Sequence, residues 1–341
     1  MKIGYETNFY YKQKLAGIGR YSYNLISNIS DILGAENITL FGNLFTLKKY
    51  KNPEFFLDVK KQGYYGRVWP ERKNIDLLHG VRHILPDWRS IRKIITIHDL
   101  TQIKVSGKER SKFIDTYAEL ARKADHIIVV SMATKQDIVD ILNVHPAKIS
   151  VTYLGVDRFY TKPNQSKIKE VSRRYDIKRP YFFTVGSFSL VKNTARLIKA
   201  FERSKVSKDY NLIIAGLNGR GIEEKNNVRY IGYTPDADMP ALYSRASGFL
   251  FPAVHSGFGL PILEAMACGT PVLTSNTEAA PEVAGGHAVL ADPYSVEDIS
   301  QGFDRLLNIS AEDTEKAKAY ARKFTWKKCA EETVKVYEKV L

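Results

Sequence analysis

The sequence predicts an α/β protein built of two doubly wound halves. Three observations carry that expectation. Short β-rich runs alternate with helix-like segments along the chain, which calls for parallel sheets with crossover helices. The alternation restarts after a polar, charged stretch near residues 161–179. The length, 341 residues, suits two domains that each bury a core.

MKIGY (1–5) opens as a strand, and KLAGIGRYSYNLISNI (14–29) carries glycines and becomes helical. NITLFG, IDLLHG and IRKIITIHDL read as strands, the last ending at the polar pair His98-Asp99. ADHIIVVSMATKQDIVDIL is a strand and then a helix, with Ser131 placed to cap it. KISVTYLGV closes the first half. In the second half RPYFFTVGSFS is a strand, KNTARLIKAFERS a helix, and NLIIAG and VRYIGY are strands. ADMPALYSRA is a helix, SGFLFPA a strand, GFGLPILEAMACG a turn and helix, and TPVLTSN a strand. The expected domains are 1–165 and 166–325. Open sheets of this kind bind ligands beyond the carboxyl ends of their strands, so two facing each other make a cleft. The chemistry belongs on strand-to-helix turns.

Composition narrows the class. An apolar share of 44% and a charged share of 26% are those of a globular protein. No apolar run approaches the ~20 residues that span a bilayer. The start, MKIGYETNFYY, has no apolar signal core, so a cytoplasmic setting is expected. Two cysteines, Cys268 and Cys329, make neither a disulfide framework nor a metal-ligand cluster. The net charge is +14. Residues 1–160 hold 25 Lys and Arg against 16 Asp and Glu, a surplus of +9; residues 161–341 hold 26 against 21, a surplus of +5. Such a balance attracts phosphorylated substrates or an anionic membrane surface, and equally describes a well-solvated exterior. Nucleic acid is not expected, because no zinc-finger spacing, RNA-binding signature or dense basic run is present.

The segment HSGFGLPILEAMACGTP (255–271) concentrates the chemistry. Gly257 and Gly259 stand between a strand and a helix, where unpaired N–H groups and the positive dipole end form a phosphate cradle. Glu264 follows within the first turns of that helix, and a carboxylate suits the vicinal hydroxyls of a sugar. A tight turn with Glu264 as a favourable N-terminal charge accounts for the same residues.

Taken whole, GFGLPILEAMACGTPVLTSNTEAAPEVAGGHAVLADP resembles the signature of the family 4 glycosyltransferases. AGIGRYSYNLI is similar to that family's glycine-rich loop before its first helix, and TIHDL to its donor-side histidine segment. YFFTVGSFSLVKNTARLIKAF resembles the opening of its second domain, and VRYIGYTPDADMPALYSRASGFLFPA the elements before the signature. The resemblance implies a retaining, metal-independent hexosyltransferase of the GT-B fold, two Rossmann-like domains facing across a cleft. It also implies a C-terminal helix, 326–341, that crosses back to the first domain. His98, Lys192 and Glu264 are then the expected catalytic residues: His98 bonding the transferred sugar, Lys192 neutralising the diphosphate, Glu264 holding the ribose. The backbone of Gly257, Phe258, Gly259 and Leu260 would meet the phosphates, and Tyr233 the base. Gly17, Gly19 and Arg20 would line the first domain's side, with Asp99 beside His98. Gly186, Ser187, Asn193, Gly216 and Ser256 complete the expected donor-binding set.

The co-substrate implied is a nucleotide sugar, GDP-mannose-like first and UDP-linked next, with no cofactor and no metal. The Asp236-Ala237-Asp238 pair follows Pro235 and leads into a helix, so it reads as a cap. The acceptor implied is a glycan or lipid-linked glycan in cell-surface polysaccharide synthesis, reached by peripheral contact at the inner face of a membrane. Two positions depart from the family pattern: Ser256 stands where an acid is usual, and Val191 where an arginine precedes Lys192-Asn193. His255 and Arg196 are the candidates to compensate. The departures leave open a non-catalytic glycosyltransferase-like subunit of a glycan-assembly complex. A nicotinamide oxidoreductase is a weaker rival, since Gly-x-Gly-x-x-Ser near residue 17 lacks the acid expected after the next strand. Tyr10, Tyr11, Trp69 and Trp88 are aromatic candidates for sugar faces, packing being the plainer role.

Overall fold

A computed structural model describes residues 1–6, 17–42, 61–64, 75–82, 85, 91–216 and 227–341. Tyr10, Tyr11, Trp69 and Trp88 lie outside the described residues. The chain forms two compact units: Met1–Gly155 with Thr325–Leu341, and Val156–Phe324. The division at 155/156 precedes the 165/166 junction expected from the restart of the alternation.

The first unit holds seven strands: β1 (Ile3–Glu6), β2 (Ile38–Gly42), β3 (Lys61–Tyr64), β4 (Leu77–Gly80), β5 (Arg92–Ile97), β6 (His126–Val129) and β7 (Ile149–Val151). Their order is β3-β2-β1-β4-β5-β6-β7, and every pairing is parallel. β1, β4 and β6 are buried at all four positions, as strands covered on both faces must be, so they read as apolar runs without alternation. Phe41, Leu78, Ile95, Ile97, Tyr117 and Ile127 build one core layer. Ser131 caps the helix Met132–Leu142 by accepting from the Thr134 N–H at 3.1 Å, as its sequence position predicts.

The second unit repeats the plan with β8 (Tyr181–Val185), β9 (Asn211–Ala215), β10 (Val228–Gly232), β11 (Gly248–Phe251), β12 (Val272–Ser275) and β13 (Val289–Ala291). The order is β10-β9-β8-β11-β12-β13, again wholly parallel. Phe182, Leu212, Ile214, Leu250, Leu273 and Phe303 form its core. Strand order reverses between β1 and β4 in the first sheet and between β8 and β11 in the second. Doubly wound sheets bind their ligands at the carboxyl ends of such strands.

The polar stretch near 161–179 is structured. A helix, Gln165–Arg174, starts there with Asn164 accepting from the Lys167 N–H at 2.9 Å. It docks through Asp238, which is buried: Arg174 Nη1 donates to Oδ2 at 2.5 Å, Tyr175 Oη donates to the same oxygen at 3.1 Å, and Lys167 Nζ lies 3.5 Å from Oδ1. The cap reading of Asp238 is therefore corrected. It precedes the helix Met239–Arg245 but makes no side-chain cap bond; its charge is engaged by two cations instead.

The last helix, Trp326–Val340, belongs to the first unit. Trp326, Cys329, Thr333 and Tyr337 are buried, and Tyr21 of the helix Gly17–Leu33 packs 6.4 Å from Trp326 between ring centres. Tyr337 Oη lies 3.0 Å from Tyr5 Oη and 2.6 Å from His79 Nδ1; Thr96 Oγ1 then bridges His79 Nε2 and Tyr21 Oη at 2.8 and 2.9 Å. This buried polar chain fastens the terminal helix to β1, β4 and β5.

Candidate active site

The turns at the switch point of the second sheet hold most of the candidates. β8 leads through Gly186 to Lys192, and β11 leads to the turn His255–Gly259. The two turns are joined: the Val254 N–H donates to the Val191 carbonyl at 2.9 Å. A Cβ on Gly186 would lie 3.3 Å from Lys192 Cγ, so the lysine stem crosses the exit of β8. Its Nζ stands 5.0 Å from the Phe251 ring centre, within range of a cation–π contact. Gly216, leaving β9, is dictated by packing: a Cβ there would meet the Gly186 carbonyl oxygen at 2.2 Å.

Gly259 has φ 96° and ψ 48°, the left-handed conformation that glycine adopts at least cost, and it starts the helix Leu260–Ala267 with Pro261 in its first turn. Glu264 lies inside that helix and is 6% exposed. Tyr243 Oη donates to Glu264 Oε2 at 2.9 Å. Burial, and then the charge of Glu264, hold the Tyr243 phenol well above its ordinary pKa. The same two causes raise the Cys268 thiol to about 12. Tyr243 is thus a protonated donor that fixes the carboxylate. Sequence reasoning missed it, since it reads as an apolar-face residue of MPALYSR.

Other candidates take different parts. Asn193 is buried, with Nδ2 donating to the Pro252 and Pro293 carbonyls at 2.9 and 2.6 Å and Oδ1 accepting from Arg196. Its side chain braces the turns. Arg196 also donates to the Pro293 carbonyl at 3.1 Å and lies 5.7 Å from the Tyr294 ring. The Phe258 ring is buried, 6.3 Å from Phe324, leaving its backbone to the turn. Ser187 contributes a carbonyl to Thr194 Oγ1 at 3.3 Å. Ser256 is partly exposed between His255 and Gly257. Tyr233 is 45% exposed beyond β10, the edge strand.

In the first unit, Gly17, Gly19 and Arg20 lie within the first turn of the helix Gly17–Leu33, which corrects the reading of this segment as a loop. His98 leaves β5 and is buried. Its Nε2 lies 3.0 Å from the Val81 carbonyl, which only accepts, so Nε2 carries the proton. Burial lowers the His98 pKa against the opposing effects of the Val81 bond and of Asp99. The ring is therefore neutral, with Nδ1 an acceptor. Tyr21 packs on it edge-on at 4.7 Å. Asp99 Oδ1 accepts from the Thr101 N–H at 2.9 Å and so supports the next turn. Glu6, buried at the carboxyl end of β1, also stands beside a switch point; MKIGYE offers no signal for it beyond strand register.

Known glycosyltransferases resemble the chain in sequence and in fold. A family model described as "Glycosyl transferases group 1" matches residues 165–324, and one described as "Glycosyltransferase Family 4" matches residues 46–158. The O-antigen chain mannosyltransferase B of Escherichia coli is 29% identical over 375 aligned positions, covering 96% of this chain and 97% of that protein. The MMP alpha-(1->4)-mannosyltransferase of Mycolicibacterium hassiacum is 29% identical over 247 positions, 67% of this chain and 57% of that protein. Among solved structures, Anabaena HepE in complex with UDP and glucose matches with a TM-score of 0.79 at 15% identity, covering 99% of this chain and 100% of that one. WaaG, a glycosyltransferase involved in lipopolysaccharide biosynthesis, matches with a TM-score of 0.72 at 15% identity, covering 98% and 99%. The fold is that of the GT-B glycosyltransferases. With one family model on each side of residue 160, the chain belongs to the family 4 glycosyltransferases.

Proposed function

We propose that this enzyme transfers a mannosyl or related hexosyl group from a nucleotide sugar to a glycan or lipid-linked glycan during synthesis of a cell-surface polysaccharide, with retention at the anomeric carbon. GDP-mannose is the first donor to test and UDP-glucose the second. The observation that carries this reading is the junction of the Lys192 turn with the Gly257–Gly259 turn at the switch point of the second sheet. The names of the mannosyltransferase relatives support the choice of sugar.

When the bond from the sugar to the diphosphate breaks, negative charge grows on the leaving phosphate oxygen. Lys192 and the turn amides meet that charge; such preorganised donors lower the barrier most where charge develops. Glu264, fixed by Tyr243, accepts from the ribose hydroxyls. His98 is proposed to accept through Nδ1 from the transferred sugar. The acceptor hydroxyl oxygen forms the new bond to the anomeric carbon as the bond to the diphosphate breaks, and its proton passes to the departing phosphate oxygen. No resident metal is proposed: Asp238, half of the acidic pair, is engaged by Arg174 and Lys167. Contact with an anionic membrane surface is proposed from the +14 charge; among the described residues no helix is long and apolar enough to cross a bilayer.

The test is transfer from GDP-mannose and UDP-glucose by Lys192→Ala and Glu264→Ala, beside their melting temperatures. Lys192→Ala is expected to lower kcat by about 10²–10³, the usual loss for one such donor, without unfolding. Near-normal turnover in both variants rejects the site.

A further inference from the structure

Of the described residues other than glycine, four have φ in the left-handed region: Asn143, Asp176, Asn193 and Glu278, the last at 58°. Asn and Asp enter this region through short side chains that bond the local backbone. Glu lacks that compensation, and such strain persists only where the surroundings enforce it, often at sites that bind or react.

The strained residue delivers a carboxylate to a definite place. Glu278 follows β12, and its Oε1 lies 2.9 Å from His255 Nδ1, with the two side chains only 18% and 17% exposed. His255 belongs to the turn after β11, next to Ser256 and two residues before Gly257. Ser275 Oγ donates to the Ala253 carbonyl at 2.5 Å, so the exits of β12 and β11 are fastened, and Val254 fastens the latter to the Lys192 turn. The carboxylate of Glu278 thus stands at the same sheet end as Lys192 and the glycine turn. A carboxylate accepts at both oxygens, and the contact with His255 fixes the orientation of the group.

We infer that Glu278, held by His255, is the carboxylate of the second unit that reads the hydroxyls of the transferred sugar, and so selects the donor. The inference rests on the donor-site reading above. It separates two parts of one ligand: Lys192, the turn amides and Glu264 grip the nucleoside diphosphate, whereas Glu278 grips the sugar.

Titration calorimetry on the full chain with GDP-mannose, UDP-glucose, GDP and UDP tests this. Losing a charged hydrogen bond should weaken the sugar nucleotide about ten- to a hundredfold. Glu278→Gly is expected to show that loss, to keep the affinity for the bare nucleotide, and to melt at or above the wild type because glycine relaxes the backbone. Glu278→Gln, which keeps shape but not charge, should lose in the same direction by less. Equal loss for sugar nucleotide and nucleotide, or no loss for the sugar nucleotide, overturns the inference while leaving the donor site intact. A wild-type chain that binds none of the four removes the donor-site reading, and this inference with it.

Discussion

Lys192 and Glu264 are held by opposite means. Lys192 is positioned by packing, its stem against Gly186 and its ammonium 5.0 Å from the Phe251 ring centre. Glu264 is buried and pinned by a phenol. The difference gives the two residues different sensitivities to their neighbours. Removing the Tyr243 hydroxyl leaves a buried carboxylate short of a donor, at a cost of about 1–3 kcal/mol shared between stability and donor affinity. Tyr243→Phe should therefore raise the KM for the nucleotide sugar severalfold while leaving kcat nearly unchanged. Steady-state kinetics checks this; a fall in kcat with KM fixed would place Tyr243 in the bond-breaking step instead. Gly257, Gly259 and Glu264 stand out in the sequence because a glycine turn and the helix it opens are local features, and Lys192 stands out through the family resemblance. Tyr243 does not: its role exists only after the helix Met239–Arg245 lies against Leu260–Ala267, a contact no spacing rule predicts.

At the scale of elements, most of the strands that sequence reading found are rich in apolar residues, whereas β3 and β13 went unread, the second although AVLA (288–291) is itself a short apolar run. KQGY carries no β signal of its own and becomes β3 only by pairing with β2. The helix Gln165–Arg174 hid in a charged stretch because it buries only Ile168 and Val171 on one narrow face, with the Asp238 ion pairs holding the rest. The terminal helix hides its main feature similarly: Tyr337 looks like one more aromatic until it meets Tyr5 and His79. That buried network sets a pH dependence. Burial, then the nearby His98, lowers the His79 pKa from 6.5 to about 3. Burial and neighbouring lysines lower His126, on β6, to about 4. In each case the unfolded chain takes up the proton first as pH falls. The folded state should be unaffected above pH 6.5 and lose stability steadily from there to about pH 3, by an amount on the order of a few kcal/mol. His79→Gln, which can still bond Tyr337 and Thr96 but does not titrate, should flatten that slope in denaturant titrations at pH 4 to 7. An unchanged slope would assign the acid sensitivity elsewhere.

At the scale of the whole molecule, the two units differ in how the chain closes them. The first needs both ends of the sequence: Met1–Gly155 lacks the helix that covers Tyr5, Tyr21 and His79 until residues 325–341 arrive. The second is one continuous segment, 156–324, with its own six-stranded sheet and core. A segment of that length buries enough surface to fold by itself, and its termini are already paired, the Val156 N–H donating to the Phe324 carbonyl at 3.0 Å. The same segment contains Lys192, the glycine turn, Glu264, Tyr243 and the Glu278–His255 pair. Residues 156–324 expressed alone should therefore unfold in a single cooperative transition and be stabilised by the cognate nucleotide, by about 2.7 kcal/mol at a hundredfold excess over Kd. They should transfer no sugar, since His98 stays with the first unit. A chain ending at Phe324 should in turn lose the cooperative melting of the first unit while keeping that nucleotide shift. Calorimetry of both, with and without GDP and UDP, decides it: a fragment that folds but is not shifted by either nucleotide would mean that the first unit contributes to nucleotide binding itself, and the assignment of the diphosphate to the second sheet would fall.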